Sequence, residues 1–279
     1  MDNYKRLSQL RDEDYQELFG VTKTTFDKML EILEKAYAEQ STKGGRPLSA
    51  LSILDKLVIM LQYYREYRTM QHIAFDYGVS KTAIWKSIRW VEGILIKSKE
   101  FALPSKRKLL EDTSVQAVLV DVTECEIERP QKKQKVYYSG KKKKHTLKVQ
   151  IVADASTLDV LCIFVGKGSQ HDFRIFQNSK VHILSRIWAY TDKAYQGLTK
   201  LHGSSLIPIK ATKNHKLSPE EKKYNSIISK LRIYIEHINR YIKRFRILSS
   251  RYRNRRKRFG LRVSLICGIY NFQHASKVR

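Results

Sequence analysis

The chain has 279 residues, enough for one or two domains with real cores, and 42% of them are hydrophobic. Its 54 Lys and Arg against 27 Asp and Glu leave a net charge of +27. Like charge in that excess destabilises a compact domain unless a polyanion neutralises it, so nucleic acid is the expected partner. No stretch approaches the ~18 apolar residues of a membrane span, and the polar opening MDNYKRLSQLRDEDY is not a secretory signal. Cys125, Cys162 and Cys267 are isolated and odd in number, with neither disulfide nor zinc spacing, so no membrane association and a cytoplasmic, nucleoid-associated location are expected.

Residues 1 to 104 read as an all-α domain. In VTKTTFDKMLEILEKAY, Thr22 is an N-cap, and Phe26, Met29, Leu30 and Leu33 share a face. STKGGRP breaks the pattern. LSILDKLVIMLQYYREY then repeats apolar residues at helical spacing through Leu54, Leu57, Val58 and Leu61. Residues 69–95 read helix, tight turn, helix: Ile73 and Ala74 face inward, Gly78 turns, Val79 plugs the turn, Ser80 caps, and Ile84, Ile88 and Val91 form the second buried stripe. This is a helix-turn-helix pattern, whose second helix enters the DNA major groove. Lys81, Thr82, Trp85, Lys86 and Arg89 are its exposed candidates for DNA contact.

Pro104 marks a linker, and residues 105–279 form the second expected domain. VQAVLVDV (115–122), HTLKVQIVAD (145–154) and LDVLCIFVG (158–166) read as strands, the last two as a hairpin. DFRIFQNS reads as a short helix, RIWAYTD (186–192) as a strand, KAYQGLTKL as a helix and SLIPIKA as a final strand. Trp188, Tyr190 and Tyr195 read as core. A long helix opens at Ser218 with Pro219 at its first position and Glu221 completing a capping box. FGLRVSLICGIYNFQHA closes the chain as an amphipathic helix. Between residues 210 and 279 there are 20 Lys and Arg against three acidic residues. The order strand, strand, strand, helix, strand, helix, strand, helix predicts an α/β fold: a ribonuclease-H-like mixed sheet with flanking helices.

Asp121 and Asp192 each close an apolar run, and Glu236 lies on the long basic helix. Two strand-end carboxylates and one from a helix are the hard oxygen ligands that hold Mg²⁺ or Mn²⁺, in two-ion sites, against a phosphate. Singly, each has an ordinary structural reading: a turn residue for the aspartates, an i,i+4 partner of Arg232 or Arg240 for Glu236. Asp172 and His171, in GSQHDFRIF, are candidate supporting groups, with Asp172 read as a helix N-cap. Glu124, Glu126 and Glu128 read as a solvated edge. Lys141, Lys142, Lys143 and Lys144, with Arg255 and Arg256 in the run RYRNRRKR, are expected to grip the DNA backbone, as are Arg232, Arg240 and Lys243.

DVTECEIERP, YYSGKKKKHTLKVQ, GSQHDFRIF, TDKAYQGL and RIYIEHINRYIKRFRIL together resemble a DDE-superfamily transposase of the insertion-sequence type, in the Harbinger-like branch. Arg232, Glu236 and Lys243 resemble the Arg-x3-Glu-x6-Lys signature of that group, whose opening tyrosine position here holds Ser229. The resemblance implies catalysis by Asp121, Asp192 and Glu236, cleavage at the inverted-repeat ends of a mobile element, and joining of 3′ ends to target DNA by at least a homodimer in the synaptic complex. A nuclease that cuts without joining, and a catalytically silent DNA-binding regulator, are the alternatives.

Overall fold

The computed structural model describes residues 3–42, 50–212 and 215–278. The break at STKGGRP falls largely outside them. The chain divides into two compact units, residues 1–102 with 243–250 and 261–279, and residues 103–242 with 251–260.

The first unit begins with helices α1 (Asn3–Leu7), α2 (Asp12–Phe19), α3 (Lys23–Ser41) and α4 (Ile53–Arg65). Thr22 caps α3 by accepting from the Thr25 amide, and Ser52 and Asp55 form a reciprocal capping box on α4. α5 (Met70–Asp76) and α6 (Lys81–Leu95) are the helix-turn-helix. Gly78 takes the left-handed turn at φ +60°, which a side chain would strain. Ser80 Oγ accepts from the Ala83 amide, and Ile73, Ala74, Ile84, Ile88 and Val91 are buried as their periodicity requires. Val79 is only half-buried.

The second unit holds α7 (Lys108–Glu111) and then β1 (Ala117–Glu126), four residues longer at its end than its apolar run. The extension follows from pairing, because the antiparallel ladder with β3 (Lys144–Asp154) continues to Glu126↔Thr146. Between them lie α8 (Gln134–Tyr137) and β2 (Tyr138–Ser139), which pairs with the start of β3. β4 (Val160–Lys167) forms the expected hairpin with β3, and α9 (Asp172–Ser179) follows. β5 (Trp188–Tyr190) lies parallel to β1, and β6 (Ser205–Leu206) lies parallel to β5. Three antiparallel strands continued by two parallel ones give the ribonuclease-H-like order. Through Val118, Val120 and Val152 the sheet packs with Phe176, Tyr195 and Leu198. The period-2 alternation puts Asp121 on the opposite face.

Three expectations are corrected. KAYQGLTKL is not one helix but two 3₁₀ turns, Lys193–Tyr195 and Leu198–Lys200. Gly197 between them lies where a Cβ would meet the Phe173 ring at 2.5 Å, and the buried pair Tyr195 and Leu198 has the i,i+3 spacing that 3₁₀ geometry aligns. SLIPIKA pairs over two residues only, since Pro208 has no amide to donate. Trp188 is 47% exposed; Ala189 takes the buried position on that strand.

α10 (Pro219–Lys243) starts with the expected capping box: Glu221 Oε2 accepts from the Ser218 amide, and Ser218 Oγ from the Glu221 amide. It buries Ile228, Ile235, Ile238 and Ile242. α11 (Arg246–Ser249) and most of α12 (Phe259–Val278) belong to the unit of the N-terminal helices, although the sequence suggests a continuation of the second domain. Their attachment is specific. Glu92 of α6 is fully buried and accepts from Arg262 Nε at 2.7 Å and from Tyr64 OH at 3.0 Å.

Gly268 of α12 sits so close to the Phe101 carbonyl that a Cβ would lie 1.9 Å from its oxygen. Ala is worth ~1 kcal/mol over Gly in a helix interior, but a backbone carbonyl cannot yield to that overlap, and overpacking costs ~1–3 kcal/mol or more. Gly268→Ala is therefore expected to be net destabilising, read as a lower urea midpoint at unchanged m-value.

Candidate active site

β1 and β5 bring two of the acidic residues together. Their parallel register ends at Leu119↔Tyr190; two residues further on, Asp121 is still within β1 and Asp192 lies just past the end of β5, close enough for its charge to act on Asp121. Asp121 Oδ2 accepts from Asn239 Nδ2 of α10 at 2.8 Å. Asp192 caps the 3₁₀ turn after β5, its Oδ1 accepting from the Ala194 amide at 2.8 Å. Burial, and then the like charge of Asp192, push the Asp121 carboxyl up to about 6; the Val122 amide, Arg232 and Asn239 oppose the rise.

Glu236 is not beside them. Its side chain is 58% exposed, and Arg232 Nη2 lies 3.9 Å from its Oε1. Among the described residues no three His, Cys, Asp or Glu side chains are grouped as a metal would require. A third carboxylate beside Asp121 and Asp192 would add to their repulsion, and α10 instead presents the neutral amide of Asn239. At 100° per residue Glu236 lies one turn back and about 60° round the helix from Asn239. The Arg232 charge reaches both Asp121 and Glu236.

Asn239 escapes a search for acidic residues, although its sequence signal is a polar side chain beside the isoleucine stripe of α10. Its Oδ1 is buried without a hydrogen-bond partner, as are Thr191 Oγ1 and Tyr195 OH next to Asp192. Buried polar groups are rarely left unpaired. Two adjacent carboxylates short of positive charge, with an amide oxygen among these groups, are a donor set that fits a divalent cation. Burial, then Asp121, Asp172 and Asp192, hold the Tyr195 phenol well above its usual range, so it stays a neutral donor.

Asp172 is the first residue of α9 rather than its cap; the capping position is His171, whose exposed side chain makes no cap bond. Asp172 Oδ1 instead accepts from Lys148 Nζ at 2.7 Å. Glu124, expected at a solvated edge, is 9% exposed, with its Oε1 3.8 Å from the same ammonium and its Oε2 accepting from Thr146. Ladder pairing explains this: Glu124 lies opposite Lys148, so both side chains point to one face. Lys144 is tied to Glu126 at 2.7 Å, as is Arg251 at 3.0 Å, while Lys141, Lys142 and Lys143 are exposed. Arg240, Lys243, Arg255 and Arg256 are exposed. In the helical unit Lys81, Thr82, Lys86 and Arg89 are exposed on one side of α6, with the Arg89 guanidinium 4.7 Å from the Trp85 ring centroid.

A ribonuclease-H-like sheet with paired carboxylates, accompanied by a helix-turn-helix, points to an enzyme that acts on DNA. Residues 120–271 match the family described as DDE superfamily endonuclease, and residues 49–100 match its helix-turn-helix. The chain is 43% identical over 274 residues to a probable transposase for insertion sequence element IS702 of Microchaete diplosiphon, covering 98% of this chain and 99% of that one. It is 25% identical over 234 residues to a putative transposase for insertion sequence element IS112 of Streptomyces albus G, covering 82% and 83%. A solved Mos1 transposase paired-end complex is 12% identical over 73% of this chain and 77% of that one, with a TM-score of 0.18. The chain belongs to the DDE superfamily endonuclease family and is an enzyme of the DDE transposase type. It binds DNA through its helix-turn-helix, and chemistry in this superfamily is divalent-metal dependent. No helix among the described residues is long and apolar enough to cross a membrane.

Proposed function

We propose that the enzyme binds the inverted-repeat ends of an insertion element, cuts there, and joins the freed 3′ ends to target DNA. The observation that carries this reading is the approach of Asp121, on β1, and Asp192, just past the end of the parallel β5, with Asp121 pushed up to about 6 by burial and by its neighbour. Asp121, Asp192 and, once brought to them, Glu236 are the residues that would hold two Mg²⁺ or Mn²⁺ ions. Bound there, the ions would supply the Lewis-acid charge that such phosphoryl transfers need. Asp121 must shed its proton before it can ligate. Arg232 favours the ionised form of Asp121 and lies 3.9 Å from Glu236, which supports recruiting Glu236 from the exposed flank of α10. Tyr195 is kept neutral by burial and by the charges of Asp121, Asp172 and Asp192.

Lys81, Thr82, Lys86 and Arg89 face the major groove, and Lys141 to Lys144, Arg232, Arg240, Lys243, Arg255 and Arg256 hold backbone phosphates. Two ends joined in one event require at least a homodimer, working in a nucleoid-associated, prokaryotic-type setting.

The test uses a pre-cut 3′-hydroxyl end, a supercoiled plasmid and Mn²⁺. The parent enzyme is expected to give integration products and Asn239→Ala fewer. Glu236→Ala is expected to give none while still shifting the end duplex in a gel. Cutting of intact ends without any joining would reduce the enzyme to a nuclease, and full activity in Glu236→Ala would remove that residue from the site.

A further inference from the structure

Downstream of the carboxylates, β1 runs into a second feature. Beyond Glu126 the chain turns through residues 127–132, and residues 251–253 run alongside it. Ile127 and Tyr252 form a parallel bridge, with the Tyr252 amide donating to the Glu126 carbonyl at 2.9 Å and the Glu128 amide to the Tyr252 carbonyl at 3.2 Å. This pairing fixes the floor of a cavity of about 500 Å³. Its lining includes Arg129, Lys132, Arg253, Arg255 and Arg256 against the one carboxylate of Glu128. Arg129 Nε donates to the neutral Gln134 amide oxygen, and among the described residues none of Arg129, Lys132, Arg255 or Arg256 is ion-paired. Two basic segments that lie more than a hundred residues apart in sequence thus converge on one cavity.

We infer that this cavity is a dedicated phosphodiester site that anchors the DNA backbone at a fixed distance from the cut. Guanidinium groups on a rigid floor match the planar, two-oxygen face of a phosphate. The aromatic rings here are not open to a base: Tyr252, in the lining, is buried, and the Arg256 guanidinium already lies 4.5 Å from the Tyr137 ring centroid. Six residues of strand separate Asp121 from Ile127, so the cavity lies about 20 Å along β1 from the carboxylates. At 3.4 Å per base pair that is roughly six base pairs of duplex. The inference rests on the proposed function, which sets Arg255 and Arg256 on backbone phosphates; the cavity gives that contact a fixed place.

The full-length protein is titrated with a random duplex of about 40 base pairs, in Ca²⁺, across roughly 50–200 mM salt. Each phosphate contact contributes about 0.9 to the slope of log K against log salt. R255A/R256A is expected to flatten the slope by about 1.8 and to weaken low-salt binding by about tenfold or more. The control K35A/K99A, which removes two exposed lysines of the helical unit, is expected to leave the slope unchanged. An unchanged slope in R255A/R256A, or an equal loss in the control, overturns the site. End duplexes with single neutral methylphosphonates then locate it. Parent cutting is expected to slow when the neutral linkage lies about six base pairs from the cut, with R255A/R256A indifferent to it. If the variant keeps that sensitivity, the phosphate is held elsewhere and the placement is wrong. If the parent cuts no end at all, the proposed function fails, and the salt slopes still decide the cavity.

Discussion

Asp121→Asn is expected to abolish DNA cleavage and, in EDTA at pH 8, to make the protein more stable than its parent. The sign follows from linkage. The folded protein holds the Asp121 proton up to about pH 6, whereas the unfolded chain releases it near 3.8. The folded state therefore binds more protons across that window, and stability falls as pH rises through it. Above pH 6 the full penalty is present, of the order of 3 kcal/mol. Asparagine removes the charge while its side-chain oxygen can still accept from Asn239. Unfolding temperatures are expected to differ by several degrees at pH 8 and to converge below pH 4. Added Mn²⁺ should raise the parent's midpoint, since a ligand that binds only the folded state stabilises it, and should leave the variant's unchanged. A variant less stable than its parent at pH 8 would mean that Asp121 is not under charge strain. Gaining stability by losing activity is the trade-off expected of a site built for a bound cation.

Arg262→Met is expected to be the most destabilising substitution in the helical unit. Glu92 is fully buried and Arg262 nearly so, and the pair joins residues 170 positions apart, with the Tyr63 ring centroid 5.6 Å from the guanidinium carbon. Removing one partner leaves the other charge buried and uncompensated, at a cost of about 3–5 kcal/mol. Replacing both, as Glu92→Leu with Arg262→Leu, removes the desolvation cost together with the attraction and is expected to recover most of the loss. Because Glu92 lies on α6, which carries Lys81, Lys86 and Arg89, the single variant is also expected to bind duplex DNA weakly at temperatures where the double variant binds it normally. Urea unfolding followed by circular dichroism checks the stability order. A single variant within about 1 kcal/mol of the parent would show that the ion pair is not what anchors α12 to α6.

What was legible in the sequence was local or periodic. Thr22, Ser80 and the Ser218–Glu221 box are caps whose partners lie three residues away, and the structure shows each of them. The strands followed from short apolar runs, continuous at 115–122 and alternating at 145–154, and the helix-turn-helix from its buried stripes around Gly78. What failed depended on partners far along the chain. The isoleucine stripe of α10 shows which side is buried but not what it meets, so the presentation of Asn239 rather than Glu236 to Asp121 could not be read. Glu124 looked solvated because its partners, Lys148 and Thr146, arrive from another strand. KAYQGLTKL carries helical composition, and only the packing of Phe173 against Gly197 divides it. The C-terminal helix is amphipathic by pattern, but its attachment to the N-terminal unit is decided by Arg262 and by the close approach of Gly268 to Phe101.

The convergence of Asp121, Asp192 and Glu236 on shared ions is tested most directly by iron-mediated backbone cleavage. Fe²⁺ replaces Mg²⁺, and ascorbate with peroxide cuts the chain beside its ligands. The expected result is cuts clustered at residues 120–122, 191–193 and 235–237, competed away by Mn²⁺ and lost in Asp121→Asn. Cuts scattered over the surface, or a pattern unchanged by Asp121→Asn, would contradict it.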